Sequence, residues 1–505
     1  MRRPLTHVAA AFTAARPRMN AIKTSLLMSF AEKYTVLVIG MAGGMIIARL
    51  LTPGQIGIFS IGAVVVGITQ MVRDFGVGQY LIQEKDLSTE HLRAAYTLTM
   101  LISWSMAALL ALASDPVADF YDEPGVGEVL RVLALNVLLI PFGSITLPVL
   151  RRKLRFRALY CINVANALTN LAVSLALITL GFGYLSLAWA AVAGSLVTVL
   201  VSQFFRPADI PWLPGFTGMR KLLRFGAYAT GSNVIDECGV AAPDMIIGKL
   251  IDVAAVGLFG KAQATLNIFN MLITRAVTPV MLPLFAANVR DGHDVKRLYL
   301  HTVAYMAGLS WPFFAVLAVL ATPLTRLLYG HQWDASAPLV RIMCVSTATF
   351  CLFSMARDLF VAMGQVRLRA QLEAIGVSVR IAGIVVAAPF GLEAVAWSIA
   401  ATSLLRSALL YRSLAALTAM RVTELGRSVA RSGALTALTA SGPALLMLSP
   451  GLDDASPLLS LALAGPAALF CWVAGIVLLN HEIKPELMSM ARPLLRRLFP
   501  KPVGR

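Results

Sequence analysis

In a chain that is 58% hydrophobic and only 14% charged, the informative residues are the charges inside apolar runs. An ionisable group at the middle of a spanning helix costs roughly 2.5–3.5 kcal/mol on insertion scales, so each needs a partner or a task. One run carries Asn233, Glu237 and Asp244 within about 40° of one another on a helical wheel, flanked by Asp236. Pro243 cannot donate its backbone hydrogen bond, so a kink is expected beside Asp244. Acidic groups at a kink suit proton or sodium coupling; ion pairs with Lys249, Lys261 or Arg275 are the structural alternative. The next run places Gln263, Asn267, Asn270 and Thr274 on one helical face. Such amides can bind sugar hydroxyls in a wet cavity, or join one helix to another. Lys33, Lys261, Arg275, Arg357 and Arg380 also interrupt apolar runs. Together they would make a basic interior that attracts anions, and guanidinium suits phosphate by its fork of donors. For Arg131, Arg341 and Arg406, nearer run ends, snorkelling to the interface is the expected role.

Catalytic patterns are missing from the sequence. It contains no P-loop, HExxH, GxSxG or acidic cluster with metal spacing. Cys161, Cys238, Cys344, Cys351 and Cys471 are scattered, with no CxxC or Cys/His spacing, and read as small core residues. No enzyme activity, cofactor or metal is expected. Work would come from an ion gradient, the membrane potential or the substrate's own gradient.

These residues are positioned by long apolar segments. A spanning helix needs roughly 20 mostly apolar residues. Fourteen candidates satisfy this: 26–50, 55–72, 92–113, 127–150, 159–180, 184–205, 222–250, 255–289, 298–321, 335–363, 368–388, 392–414, 425–448 and 458–480. The expected fold is an all-α polytopic membrane protein of about 14 transmembrane helices. The net charge of +17 could suggest nucleic acid, but its location excludes that need. Basic residues gather in every second link, as in Arg151-Arg152-Lys153-Leu154-Arg155-Phe156-Arg157, and in both tails. The 3–4 loop instead holds Asp115, Asp119, Asp122 and Glu123. The positive-inside rule then places both termini in the cytoplasm. Residues 1–24 read as a disordered tail, not a removable signal. The amphipathic Glu486–Phe499 stretch suits a helix on the inner membrane face.

The chain repeats itself. Met45-Ile46-Ile47-Ala48-Arg49-Leu50, closed by Gly57-Ile58-Phe59, returns as Met245-Ile246-Ile247-Gly248-Lys249-Leu250 and Gly257-Leu258-Phe259. Arg131 and Arg341 open the fourth span of each copy, and Asp115-Pro116 before Phe120-Tyr121 parallels Thr322-Pro323 before Leu328-Tyr329. Two related halves of six spans each follow, at 25–205 and 222–414, joined by a linker at 206–221. Helices 13 and 14 (425–480) and a basic tail (481–505) are additions. Six spans per half make the repeat parallel, and such halves belong mostly to transporters.

Ile47-Ala48-Arg49-Leu50-Leu51-Thr52-Pro53-Gly54-Gln55-Ile56-Gly57-Ile58-Phe59 and Asp74-Phe75-Gly76-Val77-Gly78-Gln79-Tyr80-Leu81-Ile82-Gln83-Glu84-Lys85-Asp86 resemble the polysaccharide transporter family. These are the Wzx-type flippases of bacterial lipopolysaccharide and exopolysaccharide assembly, near the colanic-acid exporter branch. Pro141-Phe142-Gly143 and the basic link from Leu150 to Arg157 resemble the same branch. The likeness is strongest over 25–160. It implies the multidrug/oligosaccharidyl-lipid/polysaccharide exporter fold: two six-helix bundles in a V around a central cavity, plus two extra helices. It also implies a substrate, an undecaprenyl-diphosphate-linked oligosaccharide turned across the bacterial inner membrane, with polymerase and other pathway proteins as partners. By helix position, Lys33, Lys261, Arg275, Arg357 and Arg380 are the basic cavity candidates. Gln263, Asn267 and Asn270 are the polar ones, and Asp236, Glu237 and Asp244 the ion-coupling ones. A drug/cation antiporter of the same fold would want a more acidic or apolar cavity. A glycan polymerase would need a large loop or an acidic motif.

Overall fold

The computed structural model describes residues 5–85, 87–211, 214–217, 219–448 and 456–489; the side chains of several helical residues, Asn233, Asp236, Glu237 and Arg275 among them, lie outside the description. Among the described residues the secondary structure is helical throughout, with no strand. The helices are α1 (Leu5–Leu50), α2 (Pro53–Asp74), α3 (Val77–Gln83), α4 (Thr89–Tyr121), α5 (Pro124–Leu139), α6 (Pro141–Ser144), α7 (Thr146–Arg152), α8 (Phe156–Thr179), α9 (Leu185–Phe204) and α10 (Met219–Leu250). They continue as α11 (Val253–Phe269), a π-helical turn (Asn270–Thr274), α12 (Arg275–Arg290), α13 (Val295–Val319), α14 (Ala321–Tyr329), a 3-10 turn (His331–Trp333) and α15 (Ser336–Cys351). The last are α16 (Ala356–Ala362), α17 (Val366–Ala387), α18 (Leu392–Thr418), α19 (Val422–Met447) and α20 (Pro457–Leu478).

The apolar runs expected from the sequence are helical; among the described residues eleven helical stretches are long and apolar enough by themselves to cross a membrane, against the fourteen expected. The polar residues of α10 and α19 dilute their apolar runs, and the π turn splits the eighth run between α11 and α12. Residues 5–24, read as a tail, continue α1 as one helix. Alanines at 9–11, 14 and 15 give that stretch high helix propensity.

The chain divides into two compact units, Met1–Gly257 and Leu258–Arg505. The sequence repeat and the packing therefore cut the chain at different places: α10 opens the second repeat but packs on α2 and α4 of the first unit.

Within the first unit, two sets of links are tied together. Tyr184 donates to Glu128 (2.9 Å), and Lys249 pairs with Asp122 (2.9 Å), so the loops near residues 51, 122, 182 and 251 share one face. At the other set, Arg152 donates to the carbonyls of Leu81 (3.0 Å), Glu84 and Lys85 (3.1 Å), capping the C-terminal end of α3. Lys153 pairs with Asp209, and Thr97 exchanges hydrogen bonds with the backbone of Gly215. Part of the basic link is thus structural. Beneath it Tyr80, Leu81, Leu98, Val149 and Leu222 form a buried apolar cluster. In the second unit α13 packs on α15 and α19, α19 on α20, and α18 on α15 and α17.

The sequence repeat is also a repeat of local geometry. Leu51 and Ile251 each donate back to the carbonyl four residues earlier, at 2.9 Å. Thr52 then caps α2 by accepting from the Gln55 amide (3.3 Å), and Asp252 caps α11 by accepting from the Ala255 amide. In the fourth spans, Arg131 binds Ser114 (3.2 Å) and Asp115, while Arg341 donates to Thr322 (2.8 Å). Both arginines reach the residues just before the prolines Pro116 and Pro323, so both tie helix ends together instead of snorkelling.

Candidate functional site

The basic candidates meet different fates. Arg380, on α17, lies within electrostatic reach of Arg406 and Glu373. Arg406 itself pairs with Glu373 (2.7 Å) and stacks on Phe350 with 4.9 Å from guanidinium carbon to ring centroid, so this arginine too has a local role instead of snorkelling. Arg357 is exposed and within reach of Asp358. Lys33 is exposed on α1, and its neighbour Glu32 accepts from the Asn163 amide (2.6 Å). The Arg275 side chain lies outside the described residues.

Lys261 is set apart from these. It sits two turns into α11, half-buried. Its ammonium lies 5.3 Å from the ring centroid of Tyr329 and 5.5 Å from that of Trp333. The two rings meet edge to face at 6.4 Å. Trp333 is fully buried, and the Tyr329 hydroxyl shares a 3.3 Å hydrogen bond with that of Thr265, which in turn donates to the Lys261 carbonyl (2.9 Å). The aromatic faces attract the cation without cancelling its charge. No described carboxylate pairs with it: Asp334, the nearest acid in sequence to Trp333, is taken by Arg326 at 2.9 Å. Lys261 is therefore a located, un-neutralised positive charge.

The polar stripe holds only in part. Asn270 donates to Asn267 (3.1 Å), so two of the amides satisfy one another, while Gln263 is exposed. The π turn then begins at Asn270, which rotates Thr274 off the face an unbroken α-helix would give it. Pro279 and Pro283 follow in α12 and remove ladder donors there. Of the acidic candidates, Asp236 and Glu237 have side chains outside the described residues. Asp244 is half-buried beside Pro243, and its Oδ1 is buried with no hydrogen-bond partner. The alternative of an ion pair with Lys249 is not realised at Asp244: Lys249 goes to Asp122.

The aromatic partners of Lys261 escaped the sequence reading. Tyr329 appeared there only as a repeat counterpart of Tyr121. The signal was a Tyr and a Trp one turn apart at a helix end, and nothing in the sequence joins them to a lysine in another helix.

A model of the family described as "Polysaccharide biosynthesis protein" matches residues 46–338, more than half of the chain. The chain belongs to this polysaccharide biosynthesis protein family. Among similar proteins, the "Lipopolysaccharide biosynthesis protein WzxC" of Escherichia coli (strain K12) is 22% identical over 320 residues, covering 62% of this chain and 64% of that protein. The "Succinoglycan biosynthesis transport protein ExoT" of Rhizobium meliloti (strain 1021) is 23% identical over 305 residues, covering 60% and 61%. The chain thus spans less than two thirds of these relatives' own length. Among solved structures, the lipid II flippase MurJ in an inward closed conformation superposes with a TM-score of 0.69 at 11% identity, over 90% of this chain and 100% of that one. The family member described here therefore has the fold of that flippase.

Proposed function

We propose that this chain turns an undecaprenyl-diphosphate-linked oligosaccharide from the inner to the outer leaflet of the bacterial cytoplasmic membrane, supplying exopolysaccharide, O-antigen or capsule assembly. The observation that carries the reading is Lys261: a cation fixed over two rings, with its charge left for an anion to neutralise. A diphosphate supplies that anion, and the amides of Gln263, Asn267 and Asn270 on the same segment suit the sugar hydroxyls. Arg357 and Arg380, in the same unit as Lys261, are proposed to add positive charge for the same anion. The names of the relatives, which speak of polysaccharide biosynthesis and transport, and the flippase fold support the same class. The clustering of Lys and Arg in alternate links supports an orientation with the Arg152 side and both termini in the cytoplasm and the face of residues 51, 122 and 251 outside. Polymerase and other proteins of the pathway are the proposed partners.

Coupling is assigned to the acids of α10. A buried carboxylate oxygen without a donor is costly while charged, and binding a proton or cation removes that cost. Asp244 is the described member of the group, with Asp236 and Glu237 on the same helix.

The test uses the full chain in vesicles with a lipid-diphosphate glycan on one leaflet. The parent protein is expected to move the glycan, Lys261→Met to stop it and Lys261→Arg to keep part of the rate. Efflux of cationic dyes without glycan movement would favour a drug antiporter and overturn the proposal. Asp244→Asn is expected to slow transport under an imposed ion gradient; an unchanged rate removes Asp244 from the coupling group.

A further inference from the structure

The turn between α7 and α8 breaks local rules three times within seven residues. Two stretches long and apolar enough to cross a membrane, Pro124–Arg152 and Phe156–Thr179, are joined by residues 153–155 alone. Three extended residues reach about 10 Å, so this turn stays at the membrane surface. α7 ends in a Schellman turn: the Leu154 amide donates to the Arg151 carbonyl (3.0 Å) and the Arg155 amide to that of Leu150 (2.9 Å). Residue 154 has φ 53°, a conformation that favours glycine, yet it is a leucine and 55% exposed.

The second break is electrostatic. Arg155 stands at the N-cap of α8 and Arg157 in its first turn, with no acid in that turn and no side-chain cap. The positive end of a helix dipole repels cations, so the helix gains nothing from either arginine. The third break is that the charges of the link are divided. Arg152 is spent on the carbonyls that end α3, and Lys153 on Asp209. Arg151, Arg155 and Arg157 are exposed, and among the described residues none makes a hydrogen bond or ion pair through its side chain. Asp209, the acid within electrostatic reach of Arg155, is the partner of Lys153. An exposed apolar tip and three unpaired guanidiniums are not both served by water. At a membrane surface a phospholipid serves both: its acyl region takes the leucine and its phosphate the forked donors. Three cations without a counter-ion favour a headgroup of net negative charge over a zwitterionic one.

We propose that the turn from Arg151 to Arg157 is a binding site for an anionic phospholipid, whose phosphate meets Arg151, Arg155 and Arg157 while Leu154 dips among the first acyl carbons. In the orientation proposed above, that lipid belongs to the cytoplasmic leaflet. The binding itself rests neither on the orientation nor on the transport reading.

The experiment offers the full chain, in detergent, equal amounts of phosphatidylglycerol and phosphatidylcholine and counts the bound lipids by native mass spectrometry. Phosphatidylglycerol is expected to be preferred. Each of Arg151→Gln, Arg155→Gln and Arg157→Gln is expected to lower that preference about fivefold, the worth of one cation at an anionic lipid surface. Arg297→Gln removes an exposed arginine from the first turn of α13 and is expected to leave the preference unchanged. An equal loss there would mean unspecific attraction between charges and would overturn the site, as would an unchanged preference in all three variants of the turn. Leu154→Gly suits the backbone at this position, so that variant folds, and it is expected to hold the lipid less well. Retention equal to the parent's would overturn the part given to the apolar tip. Excess inorganic phosphate is expected to leave the lipid in place; displacement would assign the arginines to a soluble anion and overturn the lipid as occupant. None of these measurements uses transport, so a chain that moves no lipid-linked glycan would sink the transport reading and leave this test intact.

Discussion

Lys249 and Lys261 lie twelve positions apart on consecutive helices, and both hold their ammonium about 5 Å from an aromatic ring. Their surroundings differ in one respect. Lys249 has a carboxylate, Asp122, at 2.9 Å; Lys261 has two rings and, among the described residues, no acid. A cation with its own counter-ion is complete and serves to hold two helices. A cation held only by rings keeps its field, because a ring quadrupole orients charge without neutralising it. Two lysines of similar sequence surroundings thus differ, one paired and the other proposed to meet an anion, and the difference lies in what the fold brings opposite each.

The largest expected effect comes from removing the support of Lys261. Trp333→Ala should cost about 3–5 kcal/mol, the usual range for emptying a buried aromatic site; thermal unfolding in detergent measures it. Trp333→Phe, which keeps a ring there, should recover most of that loss, and a Phe variant as unstable as the Ala one would show that the ring face is not what matters. Next is Lys261→Met. If the charge meets a diphosphate, transport should fall by about thirtyfold or more, as when one partner of a desolvated charge pair is removed. Stability should hold or rise, because an unpaired cation has been taken from the interior. A stability loss with transport intact would reverse the roles assigned to the two lysines.

A third basic group sharpens the contrast. His481 follows α20 and is buried. Its Nδ1 accepts from the Ile483 amide (3.2 Å), and its Nε2 lies 3.0 Å from the Ser432 hydroxyl, which donates to the Ala304 carbonyl (3.2 Å). That pattern requires the neutral ring, with the proton on Nε2. Burial pushes its pKa below the ordinary histidine value; Arg431 acts in the same direction, and Glu482 opposes them. The unfolded chain therefore takes up the proton first, so stability is full above about pH 6.5 and declines as the pH falls below it. Melting points at neutral and mildly acidic pH measure this, and His481→Gln should flatten the slope. An unaltered slope would show that His481 is not its source. The smallest expected effect is Lys249→Met. With Asp122 so exposed, its stability cost should stay within about 0.2–1 kcal/mol. A cost of several kcal/mol would make the pair a principal tie between the two helices instead of a minor one.

Much of the architecture is legible in the residues. Apolar length marked the helices, since a chain in lipid must satisfy its backbone internally. Thr52 and Asp252 cap helix starts in the structure, where a side-chain oxygen fills an orphan amide donor, a signal that apolar length alone did not use. The charge alternation grouped the links, and the observed ties between links agree with that grouping. The site was less legible. Asn267 and Asn270 looked like ligands and partly bond one another. Arg380 and Arg406 looked like separate charges and share Glu373. The π turn at Asn270 shows why a helical wheel drawn over the eighth run misplaces Thr274: one extra residue in a turn rotates everything beyond it.

The sequence by itself determined what is local or periodic: helical segments, their ends, the two-fold repeat and the membership of a polysaccharide biosynthesis family. These depend on neighbouring residues and on solvent, which composition reports directly. Only the tertiary structure decided which charges are spent and which are free. Asp122 reaches Lys249 across 127 positions, and Trp333 reaches Lys261 from beyond α14, three helices further along the chain. The close approach of Gly57 to the Val253 carbonyl, and of Gly257 to that of Pro53, is of the same kind. Whether a lysine holds helices or awaits an anion depends on which side chain packing places within about 5 Å of it, and electrostatic interaction inside a low-dielectric protein is strong only at such range.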